Sequence, residues 1–302
     1  MKKKILLTLL VMILICSFVL AGCSSEDESS KIIEFGEYPQ TIKAADVTIT
    51  ETLEEGKRYL GSDGAYYAKV KAHPYTEGLK FSDGTVVEDG ESYYFKYEPI
   101  KWRVLSKNED GTALILSEKI LDGQDFYADD YKWVNSVYYT KNGGRVNRYS
   151  YSTIRTFLNE DFYKTAFKSE SDIARIQNQS SISKDKVFLL SQSDVTNVNY
   201  GFAESKNTND PARVKVMTDY SRAMWVMEVS TAEDSYGVGM WWLSSEYVVD
   251  KAVADTVRNI LGSYNSESDA DKVVCVNKNG SCEKETAVFT EGVVPAMRIM
   301  LP

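Results

Sequence analysis

Residues 100–105 (IKWRVL) alternate between apolar and polar side chains, which is typical of a β-strand with one buried face. A more apolar run follows at residues 112–117 (TALILS), and the polar residues 108–111 (NEDG) between them favour a turn. The pattern therefore predicts a β-hairpin whose second strand lies deeper in a sheet. Further strands are predicted at residues 32–40, 65–70, 92–97, 186–190, 239–245, 272–276 and 293–301.

Residues 152–167 have helical periodicity instead. Their apolar positions recur every three or four residues and share one helix face: Ile154, Phe157, Leu158, Tyr163 and Phe167. Ser152 or Thr153 can cap the first turn, and the polar residues 159–161 are expected to divide the region into two short helices. Residues 218–227 are a second, weaker helical candidate.

These elements together indicate an α+β fold. The alternating hairpin needs a covered face, and the apolar helix face needs a partner, so the helices are expected to pack on the sheet. We expect residues 293–301 to form an integral strand of the same sheet, and Trp102 to be buried near the helices.

The first 22 residues have the pattern of a bacterial lipoprotein signal peptide. Three lysines at positions 2–4 precede the apolar residues 5–19, and residues 20–23 (LAGC) match the sequence that a lipoprotein signal peptidase cleaves before cysteine. The alternative is an uncleaved membrane span, for which the apolar run is short. We therefore expect lipidation at Cys23, a polar tether over residues 23–30, and attachment to the extracytoplasmic face of the cell membrane.

Charge and composition exclude several classes of function. The formal net charge is −9, and it becomes −12 once residues 1–22, with their three lysines, are removed. An acidic surface disfavours nucleic acid as a partner. His73 is the single histidine, so catalytic groups built on histidine are not expected. Neither a metal site nor a cofactor site is predicted.

Besides Cys16 in the predicted signal peptide and Cys23 at the predicted lipidation site, the chain has two cysteines, Cys275 and Cys282. Asn279 and Gly280 between them are a strong turn signal. A cysteine pair flanking a turn in an extracytoplasmic protein is most simply a disulfide that closes a hairpin. A metal-binding or copper–thiol pair is the alternative, but no further histidine or cysteine ligand is near.

Several short motifs, in this order and rough spacing, resemble the DUF6273 family of extracellular bacterial domains. They lie at residues 35–40 (FGEYPQ), 99–105 (PIKWRVL), 114–122 (LILSEKILD), 152–159 (STIRTFLN), 186–191 (KVFLLS), 218–220 (TDY), 241–245 (WWLSS) and 292–299 (GVVPAMRI). The resemblance implies a single domain over residues 31–302, with a β-rich insertion at about residues 41–98.

Two of these motifs, at residues 241–245 and 292–299, look like those of C-type-lectin-like and formylglycine-generating-enzyme-like folds. The resemblance therefore implies an α+β, C-type-lectin-like domain with an antiparallel sheet, short helices and long loops. An arginine usual in each motif is absent, because Ser244 and Val294 stand at those places. Any site that such arginines form in relatives is altered here.

Aromatic side chains are the candidate ligand-binding groups, since their faces can stack on sugar rings. The first group is Tyr236, Trp241 and Tyr247; because strand neighbours point to opposite faces, at most one of Trp241 and Trp242 can line a site. The second group is Tyr131, Trp133 and Tyr138 in a loop-like stretch. We expect a lipid-anchored surface protein that binds glycan or protein without catalysis. The alternative is a surface carbohydrate-active enzyme that uses paired carboxylates.

Overall fold

A computed structural model describes residues 32–227, 237–248 and 269–302. The described residues form mostly β-sheet with a few short helices, which agrees with an α+β or mainly β class. The strands are β1 Ile32–Ile42, β2 Ile49–Glu54, β3 Arg58–Gly61, β4 Tyr66–Lys71, β5 Ser92–Lys107, β6 Thr112–Ser117, β7 Lys119–Ile120, β8 Asp122–Asp125, β9 Tyr131–Val134, β10 Val137–Thr140, β11 Ile176–Gln177, β12 Val187–Phe188, β13 Val216–Met217, β14 Trp241–Glu246, β15 Lys272–Val276, β16 Cys282–Thr286, β17 Thr290–Val293 and β18 Ala296–Met300.

The larger sheet has the order β11-β18-β6-β5-β4-β3-β2, with β1 also paired to β5 and β12 to β18. Its centre is the predicted hairpin, since β5 and β6 pair antiparallel with Trp102 opposite Ser117. Two of the predicted strands, at residues 92–97 and 100–105, are one strand of 16 residues. The first half of β5 pairs with β4, so residues 41–98 extend the same sheet.

The second sheet has the order β16-β15-β14-β17-β8. It corrects the prediction of one strand over residues 293–301. That stretch crosses between the sheets: β17 pairs with β8 in the second sheet, whereas β18 pairs with β6 in the first. Val294 and Pro295 make the crossing, and Pro295 lacks the N–H that a continuous ladder would need.

The helices are α1 Thr153–Phe157, α2 Tyr163–Ala166, α3 Glu170–Arg175 and α4 Asp219–Arg222. The Ser152 hydroxyl accepts a hydrogen bond from the Arg155 N–H, which confirms its predicted role as the cap of α1. A π-type turn over Leu158–Phe162 joins α1 to α2 where an interruption was predicted. The candidate helix at residues 218–227 is shorter than predicted, because α4 ends at Arg222.

The first core lies between the larger sheet and the helices. Trp102 is fully buried there with Ile154, Leu158 and Phe162, as predicted, and its indole Nε1–H donates to the Phe35 carbonyl at 2.7 Å. Alternate residues of β6 point the other way: Leu114 and Leu116 join a second core.

The sheet is therefore buried on both faces at its centre. Within the described residues, no helix is both long enough and apolar enough to cross a membrane.

Candidate functional site

Three of the predicted aromatic residues come together on one exposed hairpin, formed by β9 and β10. Trp133 lies opposite Tyr138 in the ladder, and Tyr131 lies two residues from Trp133 on the same face. The Tyr138 ring is 5.1 Å from that of Tyr131, at right angles to it, and 6.4 Å from that of Trp133. Trp133 is 66 % exposed and Tyr131 is 47 % exposed, so this aromatic hairpin presents two grouped aromatic rings to solvent.

Local chemistry holds the hairpin in place. Asn135 and Ser136 both have positive φ angles, of 50° and 65°, which is the geometry of a two-residue type I′ turn. Behind the turn, Val137 is buried, and the Tyr138 N–H donates to the Asp271 carboxylate at 2.9 Å. The exposed rings are therefore fixed to the second sheet through β10.

The other aromatic candidates do not join this surface. Trp241 is fully buried in the second core, and its indole Nε1–H donates to the Arg213 carbonyl, so its prediction as a ligand-binding residue is corrected. Its neighbour Trp242 is buried in the first core. Both faces of β14 are covered, which leaves neither ring free for a ligand.

Tyr247 is half-buried under Lys284, whose Nζ lies 4.7 Å from the ring centroid, and it borders a shallow pocket distant in sequence from the hairpin. Tyr236 and Cys23 lie outside the described residues. The structure thus gathers Tyr131, Trp133 and Tyr138 alone among the aromatic candidates that it describes.

The predicted disulfide is absent, because Cys275 and Cys282 are free thiols. In the β15–β16 hairpin, Cys282 lies opposite Val276, whereas Cys275 lies opposite Glu283. Cys275 faces the first core and Cys282 packs against the second, so the two thiols point to opposite faces of the strand pair. Burial raises the pKa of both thiols, which disfavours the reactive thiolate. The spacing that suggested a disulfide had identified the turn but not the register.

Residues from three of the family-like motifs meet at one buried polar centre. The Tyr38 hydroxyl donates to the Asp122 carboxylate at 2.5 Å, and the Tyr220 ring packs edge-on against Tyr38 at 5.7 Å. Burial raises the pKa of Asp122 to about 6, although hydrogen bonds from Tyr38 and Gln124 oppose the rise. Because the Gly123 N–H also donates to Asp122, this carboxylate is satisfied internally. We assign the centre to the fold.

Sequence reasoning missed a second aromatic surface, which we call the aromatic pocket. It is a cavity of about 430 Å³ lined by Tyr75, Trp225 and Phe289, with Asp125 and Glu291 as its acidic residues. The three aromatic side chains are between 37 % and 50 % exposed, and the rings of Tyr75 and Trp225 meet at 81° with centroids 6.1 Å apart. Among the described pockets, this one has the most exposed aromatic side chains in its lining.

Chain topology assembles this pocket from distant segments. The His73 N–H donates to the Ala223 carbonyl at 2.8 Å, which brings the loop of Tyr75 beside Trp225. Phe289 comes from the turn between β16 and β17. No periodicity or motif links these three positions, so the sequence carried no local signal for them.

Comparison with known protein families matches residues 110–301 to a domain of unknown function, DUF6273. No curated protein and no solved structure matches the chain. The match covers well over half of the chain, including β6, the helices and the whole described part of the second sheet. The chain therefore belongs to the DUF6273 family.

Proposed function

We propose that this protein is a lipid-anchored binding protein of the cell surface, which recognises glycans through the aromatic hairpin. The observation that carries the proposal is the exposed arrangement of Tyr131, Trp133 and Tyr138. Soluble proteins seldom leave grouped aromatic rings in water unless they serve recognition. Rigid rings lose little conformational entropy on binding, and their flat faces match the apolar face of a sugar.

The hairpin also suits recognition by its charge. The Lys141–Asp130 ion pair of 2.9 Å lies at its base, and Lys132 lies in β9 on the face opposite the rings, so the aromatic hairpin carries no excess of negative charge. A neutral or acidic polysaccharide can approach this surface of an otherwise acidic protein. A protein ligand with exposed aliphatic groups would use the same rings.

The first experiment is a glycan array with the full chain, followed by titration of a glycan that binds. The Trp133→Ala variant should bind that glycan about two- to tenfold more weakly, because one aromatic contact contributes about 0.5–1.5 kcal/mol. Tyr151→Ala is the matched control, since Tyr151 is 70 % exposed and lies outside the hairpin. Equal binding by Trp133→Ala and the wild-type chain would disprove the role of the hairpin. Turnover of a bound polysaccharide would instead support the carboxylate enzyme.

Anchoring through Cys23 is the second part of the proposal, and it rests on residues 1–23 of the sequence. Metabolic labelling with palmitate should label the wild-type chain and leave Cys23→Ala unlabelled and unprocessed. Cys16→Ala is the control, because it changes a cysteine of the same segment without touching the cleavage motif. A processed Cys23→Ala chain that stays in the membrane fraction would contradict the anchor.

We also propose a C-type-lectin-like relationship for the domain. Its support is that the two motifs suggesting this relationship are neighbours in the second sheet, where Trp241 of β14 pairs in parallel with Gly292 of β17. The same segment then continues through Pro295 into β18 of the larger sheet. The segment of the second motif therefore connects the two sheets, and it lies next to the strand of the first motif.

A further inference from the structure

The charges of the aromatic pocket are unbalanced. Asp125 and Glu291 are its charged lining residues, and no lysine or arginine lines it among the described residues. Glu291 is fully buried, and no side chain of the described residues donates a hydrogen bond to either of its carboxyl oxygens. Burial and the negative charge of Glu285 raise the pKa of Glu291, and the backbone N–H of Met227 lowers it. Burying a carboxylate without a paired cation costs free energy. A positively charged ligand would supply the missing partner.

The rings above these acids have the arrangement of a cage. Tyr75 and Trp225 form two walls nearly at right angles, and Phe289 contributes a third exposed ring. The faces of aromatic rings carry negative potential, which attracts a positive group within about 6 Å of the ring centroid. Rings and carboxyls therefore favour the same sign of charge in a ligand.

The backbone holds Trp225 in this position at a cost. Its φ angle is 63°, in the left-handed region that bulky residues seldom adopt. Gly123 allows Met224, the residue before Trp225, to lie close to β8. A side chain at position 123 would place its Cβ 2.1 Å from the Met224 carbonyl oxygen. A strained conformation that exposes a tryptophan costs about 1–3 kcal/mol, and such outliers cluster at ligand sites.

We propose that the aromatic pocket binds a small organic cation through an ammonium group. The apolar rings contact the carbon atoms around the charge, while the carboxyl of Asp125 supplies a counter-charge and the bound ammonium favours the ionised form of Glu291. A bare metal ion fits less well, because calcium takes six to eight oxygen ligands and the pocket is largely aromatic. Primary ammonium on an amino sugar and quaternary ammonium of the choline type share the required chemistry.

The test is calorimetric titration of the purified full chain with two pairs of probes. Choline is compared with 3,3-dimethylbutanol, its uncharged isostere, and glucosamine is compared with N-acetylglucosamine. At least one cation should bind about tenfold more tightly than its neutral partner, and the preferred cation identifies the source of the ammonium group. Equal affinities within both pairs, or no binding by either cation at concentrations on the order of 10 mM, would overturn the proposal.

Variants then locate the binding. Trp225→Ala and Glu291→Gln should each weaken cation binding by about tenfold, and Trp225→Phe should weaken it less because a ring is kept. Trp133→Ala changes the hairpin alone and should leave cation binding unchanged, so this test is independent of glycan recognition. If Trp225→Ala fails to fold, Trp225→Phe and Glu291→Gln decide the question. Cation binding that survives these two variants unchanged, or displacement of the cation by calcium chloride alone, would reject the site.

Discussion

The Glu291→Gln variant is expected to be more stable than the wild-type chain, with an advantage that grows between about pH 4.5 and pH 8. Burial raises the pKa of Glu291 from 4.5 to about 8, the charge of Glu285 adds to the rise, and the Met227 N–H partly offsets it. The folded chain therefore holds this proton more tightly than the unfolded chain does. As pH rises through the window, the unfolded state is increasingly favoured, by on the order of 4 kcal/mol in total.

Glutamine removes this pH-dependent loss because it cannot ionise. Urea denaturation of both chains at intervals from pH 4.5 to pH 8 measures the difference in unfolding free energy. Glu170→Gln is the control, since it removes the same charge from an exposed position on α3. If the Glu291→Gln profile runs parallel to that of the wild-type chain, the carboxyl of Glu291 has the same pKa in the folded and unfolded chains, and burial does not raise it. Greater stability together with weaker cation binding would show that a destabilising group is kept for a ligand.

Deleting residues 296–302 is expected to abolish cooperative folding. These residues include β18, which lies inside the larger sheet with β6 on one side and β11 and β12 on the other. Met297 and Ile299 are fully buried in the first core. The free-energy cost of losing an internal strand and its apolar contacts exceeds the stability of a typical domain, which is about 5–15 kcal/mol.

Single substitutions grade the same effect. Ile299→Ala should lower the unfolding free energy by about 2–5 kcal/mol, because it leaves a cavity in the core. Met300→Ala is the matched control on the next residue, where the side chain is exposed, and it should change stability by about 0.5 kcal/mol or less. A truncated chain that melts cooperatively near the wild-type temperature would mean that β18 is peripheral.

Local patterns predicted the elements whose burial follows a single period. The alternation at residues 100–105 identified β5, and the apolar spacing of Ile154 and Leu158 identified the face that covers Trp102. The strand break at Pro295 was missed because the residues on both sides are apolar and buried, although in different sheets. Periodicity reports that a residue is buried, but it does not report which core buries it.

The candidate sites show the same limit. Tyr131 and Trp133 could be proposed because they are close in sequence and flanked by polar residues. Trp241 was assigned to a ligand surface because a strand usually has one open face, yet β14 lies between two cores. The rings of the aromatic pocket are far apart in the chain, so only long-range contacts bring Tyr75 to Trp225.

The long strand β5 has a consequence for how this domain can be moved between proteins. The family match begins at residue 110, inside the turn that joins β5 to β6, so the recognised segment takes one strand of the hairpin and omits its partner. A domain excised at that point would leave the β5-facing edge of β6 unpaired, and exposed strand edges promote aggregation. A transferable domain therefore has to begin at β1, which pairs with β5. The segment that matches the family is shorter than the segment that can be transferred with its sheet intact.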